Sequence, residues 1–203
     1  WVANGYTSQK AGTWTVTGNY SGKGGTATLT VTAAAIHHLG LLPLTATITA
    51  DQTQRYTAET RDQYDNKVGD VTASTIFSIC PGAKGSWAKN VYTPEKVGSW
   101  IVTGNYTTNV TMLATASLTV TVGALYQIKV LPATTNVTAI GSVNFSAYGY
   151  DRKGNERGDI TTIATWTSDA PGIASVESKG QANPGRATGY KAGTAKITAA
   201  MAG

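Results

Sequence analysis

The feature that most constrains this chain is that it repeats itself. Trp1, Tyr6-Thr7, Gly12, Trp14 and Val16-Thr17-Gly18-Asn19-Tyr20 return 86 positions later as Trp87, Tyr92-Thr93, Gly98, Trp100 and Val102-Thr103-Gly104-Asn105-Tyr106. A second register, offset by 89, ties the middle of the chain to its end. It pairs Leu42-Pro43 with Leu131-Pro132, Tyr56 with Phe145, Ala58 with Ala147 and Phe77 with Trp166. The same offset pairs Asp62, Asn66 and Gly69-Asp70 with Asp151, Asn155 and Gly158-Asp159. An insertion of three residues between Tyr106 and Leu118 separates the registers. The chain therefore divides into units of roughly 80 to 90 residues, each a recurring structural module. Residues 1–34 read as the C-terminal half of one repeat and 35–124 as a complete second repeat. Residues 125–203 read as a third repeat that stops before a counterpart of Ala116-Ser117-Leu118-Thr119-Val120-Thr121-Val122.

Within each unit the hydrophobic period is two. Trp14, Val16, Gly18 and Tyr20 share one face of a strand while Thr13, Thr15 and Thr17 share the other. Thr26, Thr28 and Thr30 likewise oppose Ala27, Leu29 and Val31. Such alternation marks a strand with one wet face. Threonine suits that face because its branched carbon packs on the pleat while its hydroxyl meets water. Turn chemistry punctuates the runs at Gly22-Lys23-Gly24-Gly25, Tyr64-Asp65-Asn66-Lys67, Arg152-Lys153-Gly154-Asn155 and Ala182-Asn183-Pro184-Gly185. Short strands at this spacing predict an all-β chain of serial antiparallel β-sandwiches, with no segment patterned as a helix.

Composition narrows the function classes. Charged residues make up 13% of the 203 residues, against about 25% in an ordinary soluble domain. Threonine, at 34 residues, and glycine, at 23, fill the difference. No apolar run approaches the length of a membrane-spanning helix. The net charge of +5 comes from scattered lysines and arginines, at most two adjacent (Arg152, Lys153), and not from the one-sided patch that nucleic acid requires. The single cysteine, Cys80, excludes a disulfide scaffold within the chain. The opening Trp1-Val2 carries neither a start methionine nor a signal peptide, as a processed or excised piece would.

These motifs resemble bacterial immunoglobulin-like (Big) domains. In the third repeat the resemblance is to the second group of that family. It rests on Trp166-Thr167-Ser168-Asp169, Ile173-Ala174-Ser175-Val176, Gly180, Ala187-Thr188-Gly189 and Ala192-Gly193-Thr194-Ala195-Lys196-Ile197-Thr198-Ala199. The middle repeat is similar to the invasin-type first group through Asp62-Gln63-Tyr64-Asp65-Asn66-Lys67-Val68-Gly69-Asp70-Val71-Thr72. Asp65 stands where that group has glycine, and the third repeat keeps Gly154. The resemblance implies tandem immunoglobulin-like sandwiches of the kind that serve as spacers in S-layer proteins, adhesins, phage tail proteins and extracellular polysaccharide enzymes. Fold alone does not choose among these hosts.

Few residues offer chemistry. Asp62, Asp65 and Asp70 form an acid-rich turn that could surround Ca²⁺ with oxygen ligands, although Asp and Asn in a hairpin more often accept backbone hydrogen bonds. His37-His38 lies at the junction of the first two repeats. Neighbours on a strand point to opposite faces, which assigns the pair to a linker and not to zinc. Cys80, before Pro81, has no base to activate it and reads as a plain thiol, with an interchain disulfide as the alternative. Trp14 and Trp100 alternate with valine and tyrosine, which places them in the core and not on a sugar platform.

Five of the ten asparagines, Asn19, Asn105, Asn109, Asn136 and Asn144, begin Asn-x-Ser/Thr triplets, where about two are expected from the Ser and Thr content. No catalytic constellation or cofactor site is legible. The expected role is a non-enzymatic structural component at the cell surface: an S-layer, sheath or filament subunit, or an adhesin stalk. The alternatives are a carbohydrate- or receptor-binding module and a spacer of a larger extracellular enzyme or phage tail protein. Partners would be neighbouring copies or repeats, joined by donation of a strand to the third repeat, together with surface glycans.

Overall fold

In the computed structural model, residues 5–201 are described; Trp1, which opens the repeat motif, and Gly203 lie outside them. Two short 3-10 turns, Thr72–Ser74 and Pro81–Ala83, are the only helical elements among the described residues. None is long and apolar enough to cross a membrane. The chain forms two compact units. One holds the residues up to Ile48 together with Thr53–Pro94 and Gly98–Thr119. The other holds Thr49–Gln52, Glu95–Val97 and the chain from Val120 onward.

The first unit opens with a hairpin of β1 (Gly12–Tyr20) and β2 (Lys23–Val31). Its turn is made by Ser21 and Gly22, both left-handed. The middle repeat follows with β3 (His38–Leu42), β4 (Thr45–Thr49), β5 (Gln54–Arg55), β6 (Thr57–Arg61), β7 (Lys67–Asp70), β8 (Thr75–Ile79), β9 (Ser86–Ala88), β10 (Val91–Thr93), β11 (Gly98–Thr107) and β12 (Thr111–Thr121). One sheet runs β4-β12-β11-β8. The opposing layer is β3-β6-β7 continued by β5-β10-β9, since β5 and β6 are one strand interrupted at Tyr56. This is immunoglobulin topology. The layer of first, second, fifth and fourth strands (A, B, E, D) is β3, β5/β6, β10 and β9. The layer of third, sixth and seventh strands (C, F, G) is β8, β11 and β12.

The layers meet on apolar residues at every second position: Leu39 and Leu41 of β3, Ala58 of β6, Phe77 of β8, Val102 of β11, and Ala116 and Leu118 of β12 are buried. Leu41 reaches the backbone of Gly104, where an added Cβ would lie 2.6 Å from its methyl group. Aromatic rings close one end of this core. Trp87 stacks on Phe77 at 5.9 Å and tilts against Tyr92 at 5.0 Å and Tyr56 at 6.1 Å.

The second unit repeats the plan with β13 (Gln127–Leu131), β14 (Ser142–Asn144), β15 (Ser146–Tyr150), β16 (Glu156–Asp159), β17 (Thr165–Ser168), β18 (Ala174–Val176), β19 (Arg186–Gly189) and β20 (Ile197–Ala200). Its sheets are β13-β15-β16, β14-β19-β18 and β17-β20, with Phe145 interrupting the second strand where Tyr56 does so in the middle repeat. Trp166 sits at the centre of its core with Ala147, Ile160 and Ala164. The bonds Leu42-Pro43 and Leu131-Pro132 are both cis. The protein is thus all-β, with immunoglobulin-like antiparallel sandwiches in series.

The two tryptophans of the repeat motif stand in different surroundings. Trp14 is 40% exposed. Among the described residues its repeat consists of the β1–β2 hairpin alone, and no opposing sheet covers its apolar face. Its indole instead folds back along the hairpin and donates from Nε1 to the carbonyl of Lys10. Trp100 is half-buried and lies over Gly98 and Gly82. The glycine before each tryptophan has positive φ, 149° at Gly12 and 144° at Gly98, and its missing side chain leaves room for the ring.

Candidate functional site

The acid-rich turn of the middle repeat is organised around one buried carboxylate. Asp62 is 1% exposed and its main-chain N–H donates to the carbonyl of Asn66, closing the β6–β7 turn. Inside that turn the amides of Tyr64 and Asn66 each donate to Asp62 Oδ1 at 2.9 Å. Asn66 Nδ2 donates to Oδ2, also at 2.9 Å. The last donor comes from far back in the sequence: the amide of Ala34 reaches Oδ2 at 2.9 Å. Asn66, oriented by the carboxylate, uses both ends of its amide on still earlier residues. Its Oδ1 accepts from the amide of Ala11 at 2.8 Å, and its Nδ2 donates to the carbonyl of Gln9 at 2.7 Å.

The second unit contains the same arrangement. Asp151, 2% exposed, accepts from the amides of Lys153 and Asn155 at Oδ1, both at 2.9 Å. At Oδ2 it accepts from Asn155 Nδ2 at 2.9 Å and from the amide of Gly123 at 3.0 Å. Asn155 in turn accepts from the amide of Val97 at 3.3 Å and donates to the carbonyl of Glu95 at 2.9 Å. Every bond of the first set has its counterpart in the second, on residues the 86 and 89 registers make equivalent. Gly123 is further fixed by its carbonyl, which accepts from the guanidinium of Arg157, and the neighbouring amide of Ala124 donates to Asp51 at 2.5 Å.

Electrostatics follow from these donors. Burial alone would raise the pKa of Asp62, but the Ala34 amide and the side chain and backbone of Asn66 outweigh it, with Tyr64 adding to them, and hold the carboxyl at about 2. Asp151 is likewise lowered against its burial by Gly123, Asn155 and Lys153. Both carboxylates are therefore ionised, and N–H groups take their lone pairs.

The remaining predicted residues are placed elsewhere. Asp65 is exposed with φ of 66°, the left-handed corner that Gly154 fills with φ of 81° in the next repeat. Its carboxylate pairs with Arg61 at 3.2 Å and faces His38 Nε2 at 3.1 Å. Asp70 caps its own turn, accepting from the amide of Thr72 at 2.9 Å, as Asp159 does from Thr161. The three aspartates are not gathered around a common point, and among the described residues no group of three or more His, Cys, Asp or Glu could hold a metal ion. Glu59, buried on β6, is occupied by Arg61 and by Lys67 Nζ at 3.0 Å.

His37 precedes β3, so the strand rule of opposite faces does not govern the pair. The two rings meet edge-on with their Nδ1 atoms 3.4 Å apart. Cys80 follows the end of β8 and is exposed as a free thiol. Asn19, Asn109, Asn136 and Asn144 are exposed; Asn105 is half-buried and accepts from the hydroxyl of Thr107 at 3.1 Å. Sequence reasoning missed the tether to residues 9–11 and 34. The available signal was that Asp and Asn recur four apart in both copies, while Gln63-Tyr64-Asp65 between them becomes Arg152-Lys153-Gly154.

Fold and site together define a serial immunoglobulin-like chain in which an Asp–Asn pair anchors earlier backbone. No family model matches the chain. It is 27% identical over 180 residues to Ice-binding protein 1 of Shewanella frigidimarina (strain NCIMB 400), covering 88% of this chain and 20% of that protein. The chain thus spans about a fifth of that relative's length. Among solved structures it is similar to the Escherichia coli adhesin FdeC at 16% identity and a TM-score of 0.43, covering 89% of this chain and 66% of that one. It is also similar to domains 1–6 of the surface layer protein SbsC at 22% identity and a TM-score of 0.37, covering 88% and 28%.

Proposed function

We propose that this chain is a structural spacer of a cell-surface protein, a non-enzymatic run of immunoglobulin-like repeats in an S-layer, sheath, filament or adhesin stalk. The observation that carries the reading is the duplicated Asp–Asn anchor. A chain whose role is mechanical benefits from fixing each repeat against its predecessor by identical bonds, since every repeat in such an array meets only its neighbours. The anchors spend their acids on backbone amides, which leaves those acids no catalytic task. Two experiments test this. Residual dipolar couplings on the 203-residue chain should fit one alignment tensor for the β1–β2 hairpin and the middle repeat, and independent tensors would overturn the reading. Protease shaving of intact source cells should release peptides of this chain; their absence would remove the surface assignment.

Two accessory features belong to the same proposal. The exposed triplets at Asn19, Asn109, Asn136 and Asn144 carry glycans, and intact-mass measurement of native material showing no added hexose removes that part. A neighbour's strand pairs along β20, which among the described residues pairs only with β17, whereas β11 lies between two strands. A monodisperse monomer by light scattering argues against strand donation.

A second reading, as a surface-binding module, has an observation of its own. Thr13, Thr15 and Thr17 pair across the hairpin with Thr30, Thr28 and Thr26, all exposed, in three ranks. Hydroxyls and methyls then recur about every 6.7 Å along the strand and about 4.8 Å across it, a regular array facing water. The relative's name makes ice the surface to try. Freezing-point hysteresis abolished by Thr15→Lys would support this reading; its absence in the parent chain would dismiss it.

A further inference from the structure

We infer that the Asp–Asn pair is a binding site for polypeptide backbone, accepting the preceding immunoglobulin-like repeat whatever side chains that repeat presents at the contact. The inference deepens the spacer reading by naming the partner of its site. It depends on that reading only in treating residues 9–34 and 95–123 as parts of a preceding repeat.

The first support is the identity of the atoms. The bonds that the two pairs make to earlier residues end on the carbonyls of Gln9 and Glu95 and on the amides of Ala11, Val97, Ala34 and Gly123. Each of these is a main-chain atom. The second is the variety of the residues that supply them. A neutral glutamine in one place is an anionic glutamate in the other, an alanine becomes a β-branched valine, and a second alanine becomes glycine. The bonds persist through all three changes.

The third support is complementarity. A primary amide carries a donor and an acceptor side by side. Asn66 offers this pair to the carbonyl of one residue and the amide two residues on, as an adjacent strand would. Asn155 does the same for Glu95 and Val97. The reader itself is held rigid. Asp62 and Asp151 are buried, and each grips the Nδ2 of its own asparagine at 2.9 Å, so the amide cannot turn over without losing a charge-assisted bond. The lone pairs left on each carboxylate point at the amide of the linker, Ala34 or Gly123. The pair thus reads two separate backbone segments at once, which specifies a position and a direction without specifying a sequence.

The test follows hydrogen exchange at single amides of the whole 203-residue chain by NMR. In the exchange variant, Gln9→Glu with Ala11→Val, the first contact carries the residues of the second. The amides of residues 11 and 34 should keep protection within about threefold of the parent. In Asn66→Ala and Asn155→Ala, protection at Ala11 and at Val97 respectively should fall by about tenfold or more, while amides of β11 keep theirs. If Asn66→Ala does not fold, Asn66→Asp takes its place. It retains an acceptor for the Ala11 amide and loses the donor to Gln9, so residue 11 should be less protected than in the parent. Loss of protection in the Gln9→Glu, Ala11→Val chain equal to that in the asparagine variants would overturn the inference, because side chains would then be read. Unchanged protection in the asparagine variants would overturn it too, because the pair would not be the holder. Neither result depends on where the protein resides in the cell, so the surface assignment can fail while this inference stands.

Discussion

Tyr56 and Phe145 occupy equivalent places, each breaking the second strand of its sandwich, but only the tyrosine carries a hydroxyl into the core. That hydroxyl is buried and finds no hydrogen-bond partner among the described residues, as is also true of Trp87 Nε1. Burial, with the Tyr92 hydroxyl adding to it, pushes the Tyr56 phenol up to about 12. An unmatched polar group costs about 1–3 kcal/mol relative to one that is paired. Tyr56→Phe, which copies the residue of the third repeat, should therefore raise the thermal midpoint of the first unit by about 4 °C or more in differential scanning calorimetry. Gly98 behaves in the opposite way. Its φ of 144° disfavours any side chain, and an added Cβ would lie 2.7 Å from Trp100 Cζ2. Gly98→Ala should destabilise by about 1–3 kcal/mol in urea titrations, with the indole displaced.

Among the elements, the two sixth-to-seventh-strand hairpins show how much sequence can say. β1–β2 and β11–β12 share their residues, period and turn signals, and the alternation correctly separated wet threonines from apolar positions. It could not tell that one hairpin packs against an opposing layer while the other, among the described residues, does not. Burial is a property of the partner and not of the strand. Val102 is fully buried, whereas its copy Val16 is only partly so. A two-stranded ribbon without a covered face is marginal in water. Amides of β1 should accordingly exchange at least about tenfold faster than their equivalents in β11, a ratio NMR can read residue by residue.

The candidate site was half legible for the same reason. The four-residue spacing of Asp62 and Asn66 marked a hydrogen-bonded turn from local chemistry alone. Its bonds to Gln9, Ala11 and Ala34 span up to 57 residues and use main-chain atoms, which leave no mark on the sequence. Nor does alternation show that a positive-φ glycine stands two residues before Trp14 and Trp100 and leaves room for each ring.

At the scale of the whole molecule, acid is the revealing perturbation. Asp62 is held at about 2, and Asp70, Asp151, Asp159 and Glu59 are also lowered. Each binds protons less readily folded than unfolded, where carboxyls titrate near 4. Their contribution to stability is complete above that value and is lost as pH falls through the folded pKa values. Melting temperature should be flat from neutrality to about pH 5 and drop steeply between about pH 4 and 2. Asp151→Asn should soften that drop and lower the plateau above it. A profile unchanged in the variant would show that the anchoring carboxylate carries no linkage.

Because the anchor writes its instructions in peptide groups, adjoining modules need not co-evolve to stay joined. A duplicated gene segment that brings its own aspartate and asparagine arrives already compatible with whatever precedes it. Surface residues on either side remain free to drift under other pressures. Length itself becomes an inheritable variable, adjustable by recombination without redesign at the seams.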